Sequence, residues 1–245
     1  MICDLIIPAL NERANIDALF AALEKGVRHH FRNVILADNG SADGTPDAAR
    51  GCGAIVVHEP QRGYGAACLK AMEWIATLEQ PPDVVAFLDA DLADDPAALP
   101  LILQPIADGR ADFVIGSRVK LAEPGALNFV QRFGNGLACV LMRLATGSRY
   151  TDLGPFRAIR WDALQRLRMA DRTWGWTVEM QMKAAILNVP TVEVDVAYRR
   201  RRHGRSKISG TVRGVIKAGT KIIVTIVALY LQRRGIARSE TEHHR

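Results

Sequence analysis

Two aspartates, Asp89 and Asp91, close an apolar run that reads FLDADLADDP over residues 87–96. In extended backbone, residues two apart project to the same side, so both carboxylates aim at one spot. Carboxylates placed this way repel each other unless a cation joins them. Hard oxygen donors select Mg²⁺ or Mn²⁺, which completes its shell with water and substrate phosphates. The same short motif also fits a solvated strand end whose acidic residues cap the next helix.

A second set of polar residues sits at two other strand ends. Pro8 sets a rigid turn in IIPALNE, with Asn11 and Glu12 just beyond it. Asp38 opens DNGSADGT (38–45), dense in turn-formers and hydrogen-bonding side chains. Asp38 could accept from a base N–H and Glu12 could reach a ribose hydroxyl. The competing reading is an Asx-turn at Asp38 and a helix N-cap at Asp43. Further on, YRRRRHGRSK (198–207) is a basic loop suited either to phosphate or to nucleic acid. There is no GxxxxGK[ST], and no GxGxxG follows the first strand, which counts against a P-loop NTPase and an NAD-dependent dehydrogenase. Gly63-Tyr64-Gly65 reads as a tight turn opening a helix.

The elements that must hold these residues alternate. Apolar runs over 5–8, 34–38, 54–58, 84–89 and 113–117 read as strands, and helical patterns cover 15–23, 45–50, 66–77 and 96–106. This pitch predicts a mostly parallel α/β sheet flanked by helices, with ligands at the carboxyl ends of the strands. The second half predicts helices over 128–145, 161–167 and 178–187, a strand over 192–196, and a helix from 211 through the apolar stretch that ends at 231. Arg213, Lys217 and Lys221 repeat every four residues on it, a cationic stripe. From 235 the chain reads as a frayed, flexible tail.

Composition bounds the class. The chain has 245 residues, 49% hydrophobic and 24% charged, which excludes a disordered, collagenous or disulfide-stapled chain. Its net charge of +6 divides unevenly. Residues 199–245 hold 13 Lys and Arg against 2 Asp and Glu, whereas the rest is net acidic. Cys3, Cys52, Cys68 and Cys139 are scattered, as expected of free thiols in a reducing compartment. No signal peptide is evident, and the ten apolar residues 222–231 fall short of the roughly 20 needed to span a bilayer.

In order along the chain, PALNE, ADNGSADGT, RGYGAA, LDADL, IGSR and R-x-x-G-R-S-K resemble the motif set of family 2 glycosyltransferases of the GT-A fold. The similarity is strongest to the branch of dolichol-phosphate mannosyltransferase and related polyprenyl-phosphate glycosyltransferases. That resemblance implies a GT-A catalytic domain over 1–210, while the cationic stripe and apolar faces of 211–234 read as an amphipathic membrane-interface helix and 235–245 as the tail. It implies that Pro8, Leu10 and Glu12 line the nucleotide-sugar pocket, that Asp38 meets the base, and that Asp89 and Asp91 hold the donor diphosphate through Mg²⁺ or Mn²⁺. Arg118 would face donor or acceptor phosphate, and Arg202 and Lys207 would clamp phosphate.

The implied reaction moves one sugar, with inversion, from a UDP- or GDP-sugar to a lipid phosphate of the polyprenyl type. An acceptor phosphate needs no strong base. A hydroxyl acceptor, the alternative, requires a carboxylate to take its proton, for which Asp152 is the first candidate and Glu179 the second. Either could instead be structural, Asp152 in a turn and Glu179 complementing a helix dipole. Ala93 stands where the mannosyltransferase branch often carries Gln, and the segment 152–156 is one residue shorter than the usual D-P-x-S-G-F. No QxxRW is present, which argues for a single transfer. The basic helix implies peripheral contact with the inner face of the cytoplasmic membrane. A homodimer is allowed, and no nucleic-acid partner is expected.

Overall fold

The computed structural model describes residues 1–203 and 212–243. A seven-stranded sheet forms its centre, in the order β3-β2-β1-β4-β6-β5-β7. The strands are β1 (Cys3–Ala9), β2 (Asn33–Asp38), β3 (Ile55–His58), β4 (Val84–Phe87), β5 (Phe113–Ser117), β6 (Arg157–Arg160) and β7 (Thr191–Asp195). Both faces are covered, so β1 reads as an almost unbroken apolar run. Its one charge, Asp4, is fully buried and held by Arg32 at 2.6 Å. One face carries α1 (Arg13–Glu24), α2 (Thr45–Gly51) and α4 (Leu99–Ala107), with Leu5, Ile7, Leu19 and Ile102 in the core between. The other carries α3 (Tyr64–Ala76), α6 (Trp161–Leu167) and α7 (Trp176–Ile186) around Ile6, Phe87, Phe113 and Trp176. A third cluster joins α5 (Phe129–Thr146) and α8 (Val212–His243) to α7 through Met142, Met182, Ile226 and Leu229.

The sheet is parallel except at β6, which runs antiparallel to both neighbours. That strand is absent from the sequence expectation. Its four residues, RAIR, offer only two apolar side chains, and Arg157 is buried because backbone carbonyls of Leu153, Gly154 and Thr177 accept from its guanidinium.

Strand β4 stops at Phe87, two residues before the expected end. Asp89 and Asp91 therefore lie beyond the strand, Asp91 in a turn that continues to Leu92 at φ 59°. Helix α8 does not end near residue 234. It passes Gly235 and continues to His243, where Glu240 pairs with Arg166 of α6 and Ile236 packs into the third cluster. Lys221, expected on an outward cationic stripe, instead meets Asp171 at 2.7 Å. Among the described residues, no helix is long and apolar enough to cross a membrane.

Candidate active site

At the carboxyl ends of β1, β2 and β4 a cavity of about 410 Å³ opens. Pro8, Leu10 and Glu12 form one wall, Asp89 and Asp91 the floor, and Arg62, Tyr64, Trp174 and Arg201 the other side. The placement follows from the topology. The parallel strands β1 to β4 present their C-terminal turns to one edge, where the chain leaves β1 for α1 and β3 for α3. Glu12 accepts from Asn15 at 2.7 Å, which turns the head of α1 toward the cavity. The opening of α3 presses on the loop before α7 so closely that a Cβ at Gly63 or Gly65 would lie about 2 Å from the carbonyl of Arg172 or Asp171. Only glycine permits this approach, which brings Thr173 and Trp174 to the cavity wall.

Asp89 is partly buried at the cavity floor, and its buried Oδ1 has no hydrogen-bond partner. Burial pushes its carboxyl up to about 7, the charge of Asp91 adds to the rise, and Arg201 and Tyr64 oppose it. Asp91 is bound on both sides: Oδ1 accepts from the amide of Ala93 at 2.9 Å and Oδ2 meets Arg201 Nε at 2.9 Å. A buried orphan oxygen beside a second carboxylate fits a divalent cation that draws its remaining ligands from water and a diphosphate. No group of three or more His, Cys, Asp or Glu with metal-holding geometry occurs among the described residues.

Asp94 lies 1% exposed, with both carboxyl oxygens unpartnered. Burial holds its carboxyl well above the usual range, and the nearby Arg118 works against that rise. Acidic spacing alone marks Asp94 and Asp95 equally as helix-capping residues. Only Asp95 caps, accepting from the amide of Ala97 at 3.1 Å while pairing with Arg199 at 2.7 Å.

The remaining expected site residues are arranged differently. Arg118 grips Asp152 through Nε and Nη2, both at 2.8 Å, and its backbone amide adds a third bond. With Tyr198 stacked at 5.0 Å, the guanidinium stays charged, because its bonds to Asp152 outweigh burial. The pair lies behind the cavity rather than in its lining. Asp152 is 1% exposed and is the partner that orients Arg118, which leaves it no free oxygen for a proton-transfer role in this arrangement.

Glu179 is not at the site. Its carboxylate accepts from the amides of Ala170 and Asp171 and from Lys183 at 2.7 Å, tying the loop before α7. Asp38 is turned inward as well: it accepts from the amides of Gly40 and Ser41 and contacts His58 at 2.9 Å. Burial would raise its carboxyl, but these hydrogen bonds outweigh it and hold it below the usual range. The neighbour Asn39 lines the cavity in its place. Arg202 is exposed and touches Asp91 only through its backbone amide, at 3.4 Å to the carbonyl. Arg201 supplies the cation, and the R-x-x-G spacing counted back from Gly204 also begins at Arg201. Lys207 lies outside the described residues.

A family model described as Glycosyl transferase family 2 matches residues 4–168. The chain belongs to this family. The glycosyltransferase is 35% identical over 215 residues to a glycosyltransferase of Mycobacterium tuberculosis, covering 87% of this chain and 92% of the relative. It is 30% identical over 223 residues to the undecaprenyl-phosphate mannosyltransferase of Micrococcus luteus, covering 85% and 88%. Its fold matches that of glucosyl-3-phosphoglycerate synthase from M. tuberculosis, solved in complex with Mn²⁺, UDP-glucose and phosphoglyceric acid. That match has a TM-score of 0.73 at 20% identity and covers 93% of this chain and 79% of the other. The glycosyltransferase thus carries the GT-A fold, with the cavity at the edge where β1, β2 and β4 end.

Proposed function

We propose that the enzyme moves one sugar from a UDP- or GDP-sugar, with inversion, onto the phosphate of a polyprenyl-type lipid, assisted by Mg²⁺ or Mn²⁺. The observation that carries this reading is how the carboxylates are employed. Asp152 is committed to Arg118 and Glu179 to a loop, so the two side chains best suited by type to take a hydroxyl proton are occupied. A phosphate acceptor is already an anion at neutral pH and needs no such base. Its attack then depends on positioning.

The nucleotide-sugar would lie along Pro8, Leu10 and Glu12, with its diphosphate over Asp89 and Asp91. Bound there, a divalent ion supplies charge for the departing diphosphate. Arg201, held 2.9 Å from Asp91, and Arg62, which lines the same side of the cavity, add fixed positive charge where the leaving group becomes more negative. Trp174 closes the side of the cavity and limits water. The 30% identity to an undecaprenyl-phosphate mannosyltransferase supports a lipid phosphate as acceptor, and with it a peripheral place on the inner face of the cytoplasmic membrane. The fold relative binds Mn²⁺ and UDP-glucose together, which supports the donor and metal classes.

One observation favours a second reading, transfer to a hydroxyl. Asp94 is a buried carboxyl with two unpartnered oxygens, able to act as a base if Tyr198, whose backbone bridges to that of Asp94, moves aside. Release of UDP or GDP with polyprenyl phosphate, but not with saccharides or small hydroxyl acceptors, is the expected outcome. Turnover with hydroxyl acceptors alone, lost in Asp94→Asn, overturns the lipid-phosphate reading.

A further inference from the structure

Helix α5 carries apolar residues on two opposite faces. Ala138, Cys139 and Met142 point into the third core cluster. Phe129, Phe133, Leu137, Val140 and Leu144 recur every three or four residues on the other side and are open to solvent, Phe129 at 81% and Leu144 at 78%. Helix α8, packed beside α5, repeats the arrangement: Ile226 and Leu229 go inward, and Val224, Val227 and Leu231 outward. Rows of exposed apolar side chains on two helices packed side by side mark a docking face. We infer that the outer face of α5 and α8 docks on the surface of an anionic lipid bilayer.

Charge selects the occupant. Neither α5 nor α8 as far as residue 239 contains a single Asp or Glu. The charged side chains exposed there among the described residues are cations, Arg132 and Arg143 on α5 and Lys217, Arg234 and Arg238 on α8. Apolar side chains flanked only by cations suit an interface where acyl chains lie beneath anionic headgroups. A second copy of the chain, meeting this face across a two-fold axis, would bring the same cations against each other.

The face is also joined to the site. On α5, Asn135 donates from Nδ2 to the carbonyl of Thr151 at 2.9 Å and accepts from the amide of Leu153 at 2.8 Å. Between those two residues sits Asp152, the partner of Arg118. The helix that would rest on the bilayer therefore holds the Arg118–Asp152 pair directly. Of the cationic stripe legible in the sequence, Lys217 stays exposed beside this face, whereas Lys221 is bound to Asp171. The inference rests on the lipid-phosphate reading for its purpose, whereas its test stands apart from it.

The test is flotation of the full chain with phosphatidylcholine vesicles, with and without phosphatidylglycerol. The expected result is binding to the anionic vesicles only, weakened roughly tenfold in Phe129→Ser/Phe133→Ser/Leu144→Ser and again in Arg132→Gln/Arg143→Gln. These exposed positions should leave thermal unfolding, and transfer to detergent-dispersed polyprenyl phosphate, unchanged. Absence of binding to either vesicle, or equal binding by the triple variant, overturns the inference. So does sedimentation showing a dimer that the triple variant converts to monomer, since a second copy would then cover the face. If vesicle binding holds and lipid phosphate is not an acceptor, the docking surface stands and the acceptor reading falls.

Discussion

The floor of the cavity and the structure just behind it are built from the same residue types and treated oppositely. Behind the cavity, Asp152 gives both oxygens to Arg118, and its backbone amide and that of Thr151 bond to Glu193. At the floor, Asp89 keeps an orphaned oxygen, and beside it Asp94 keeps two. A buried polar atom without a partner costs roughly 1–3 kcal/mol, and more when charged. Among the carboxylates of these two places, that cost is carried by Asp89 and Asp94 and not by Asp152. Satisfied carboxylates hold geometry, whereas unsatisfied ones wait for something that the protein itself does not provide.

Removing the two floor carboxylates that border the cavity tests this contrast most severely. Asp89→Ala and Asp91→Ala should each lower sugar transfer by about a thousandfold, because charge stabilisation of the leaving group is lost. The fold should survive. In the absence of metal, Asp89→Ala should leave thermal unfolding unchanged or raised, since a buried carboxyl oxygen without a partner has gone. Asp91→Ala gives up the ion pair with Arg201 and should lower it slightly. Retained transfer would sink the assignment of the floor, and a collapsed fold would show that these side chains belong with the structural class.

Asp152→Asn should show the reverse balance. Breaking one side of a buried ion pair leaves Arg118 uncompensated and costs about 3 kcal/mol of stability. Urea unfolding measures the loss, and Arg118→Met/Asp152→Leu should recover part of it. If Asp152→Asn abolishes transfer with no loss of stability, the pair acts on substrate and the contrast is wrong.

Much of the floor was legible from residue types, because the chemistry itself demands them. Two carboxylates at the end of an apolar strand and PALNE at another both border the cavity. What stayed hidden depends on tertiary partners. Four residues of RAIR carry no strand periodicity, and the burial of Arg157 becomes tolerable only when three distant carbonyls converge on it. A glutamate in the first turn of a helix looks alike whether it serves as a base or, as with Glu179, as an anchor for loop amides. In the run of four arginines, identity gives no clue to direction. Arg199 goes to Asp95, Arg200 to the carbonyl of Pro124 and Arg201 to Asp91, an order set by the bond from the Arg199 amide to Ala93.

The raised carboxyl of Asp89 gives the contrast a pH dependence. An unfolded aspartate titrates near 3.9, and in the folded protein Asp89 is pushed up to about 7. Between those values the folded state holds the extra proton, so the contribution of this group to stability falls as pH rises through the window. A divalent cation must displace that proton. The rise in melting temperature given by Mn²⁺ should therefore be small near pH 5.5 and grow to a plateau above about pH 7. Asp89→Asn should remove both trends. An Mn²⁺ shift independent of pH would mean that the ion binds elsewhere.

The smallest effects separate two adjacent arginines. Arg201 lies against Asp91 and lines the cavity, so it both neutralises the floor and faces the leaving diphosphate. Arg201→Ala should raise the donor KM and lower kcat together, by roughly tenfold in kcat/KM, the size of one charge-assisted contact. The side chain of Arg202 is exposed, and its link to Asp91 runs through the backbone, which alanine preserves. Arg202→Ala should stay within about twofold of the parent, as expected of a solvated charge. Steady-state kinetics with varied donor distinguishes the two. Equal losses at both positions would mean that the floor recruits the whole basic run rather than one positioned cation, and the line between waiting and satisfied groups would move outward to include Arg202.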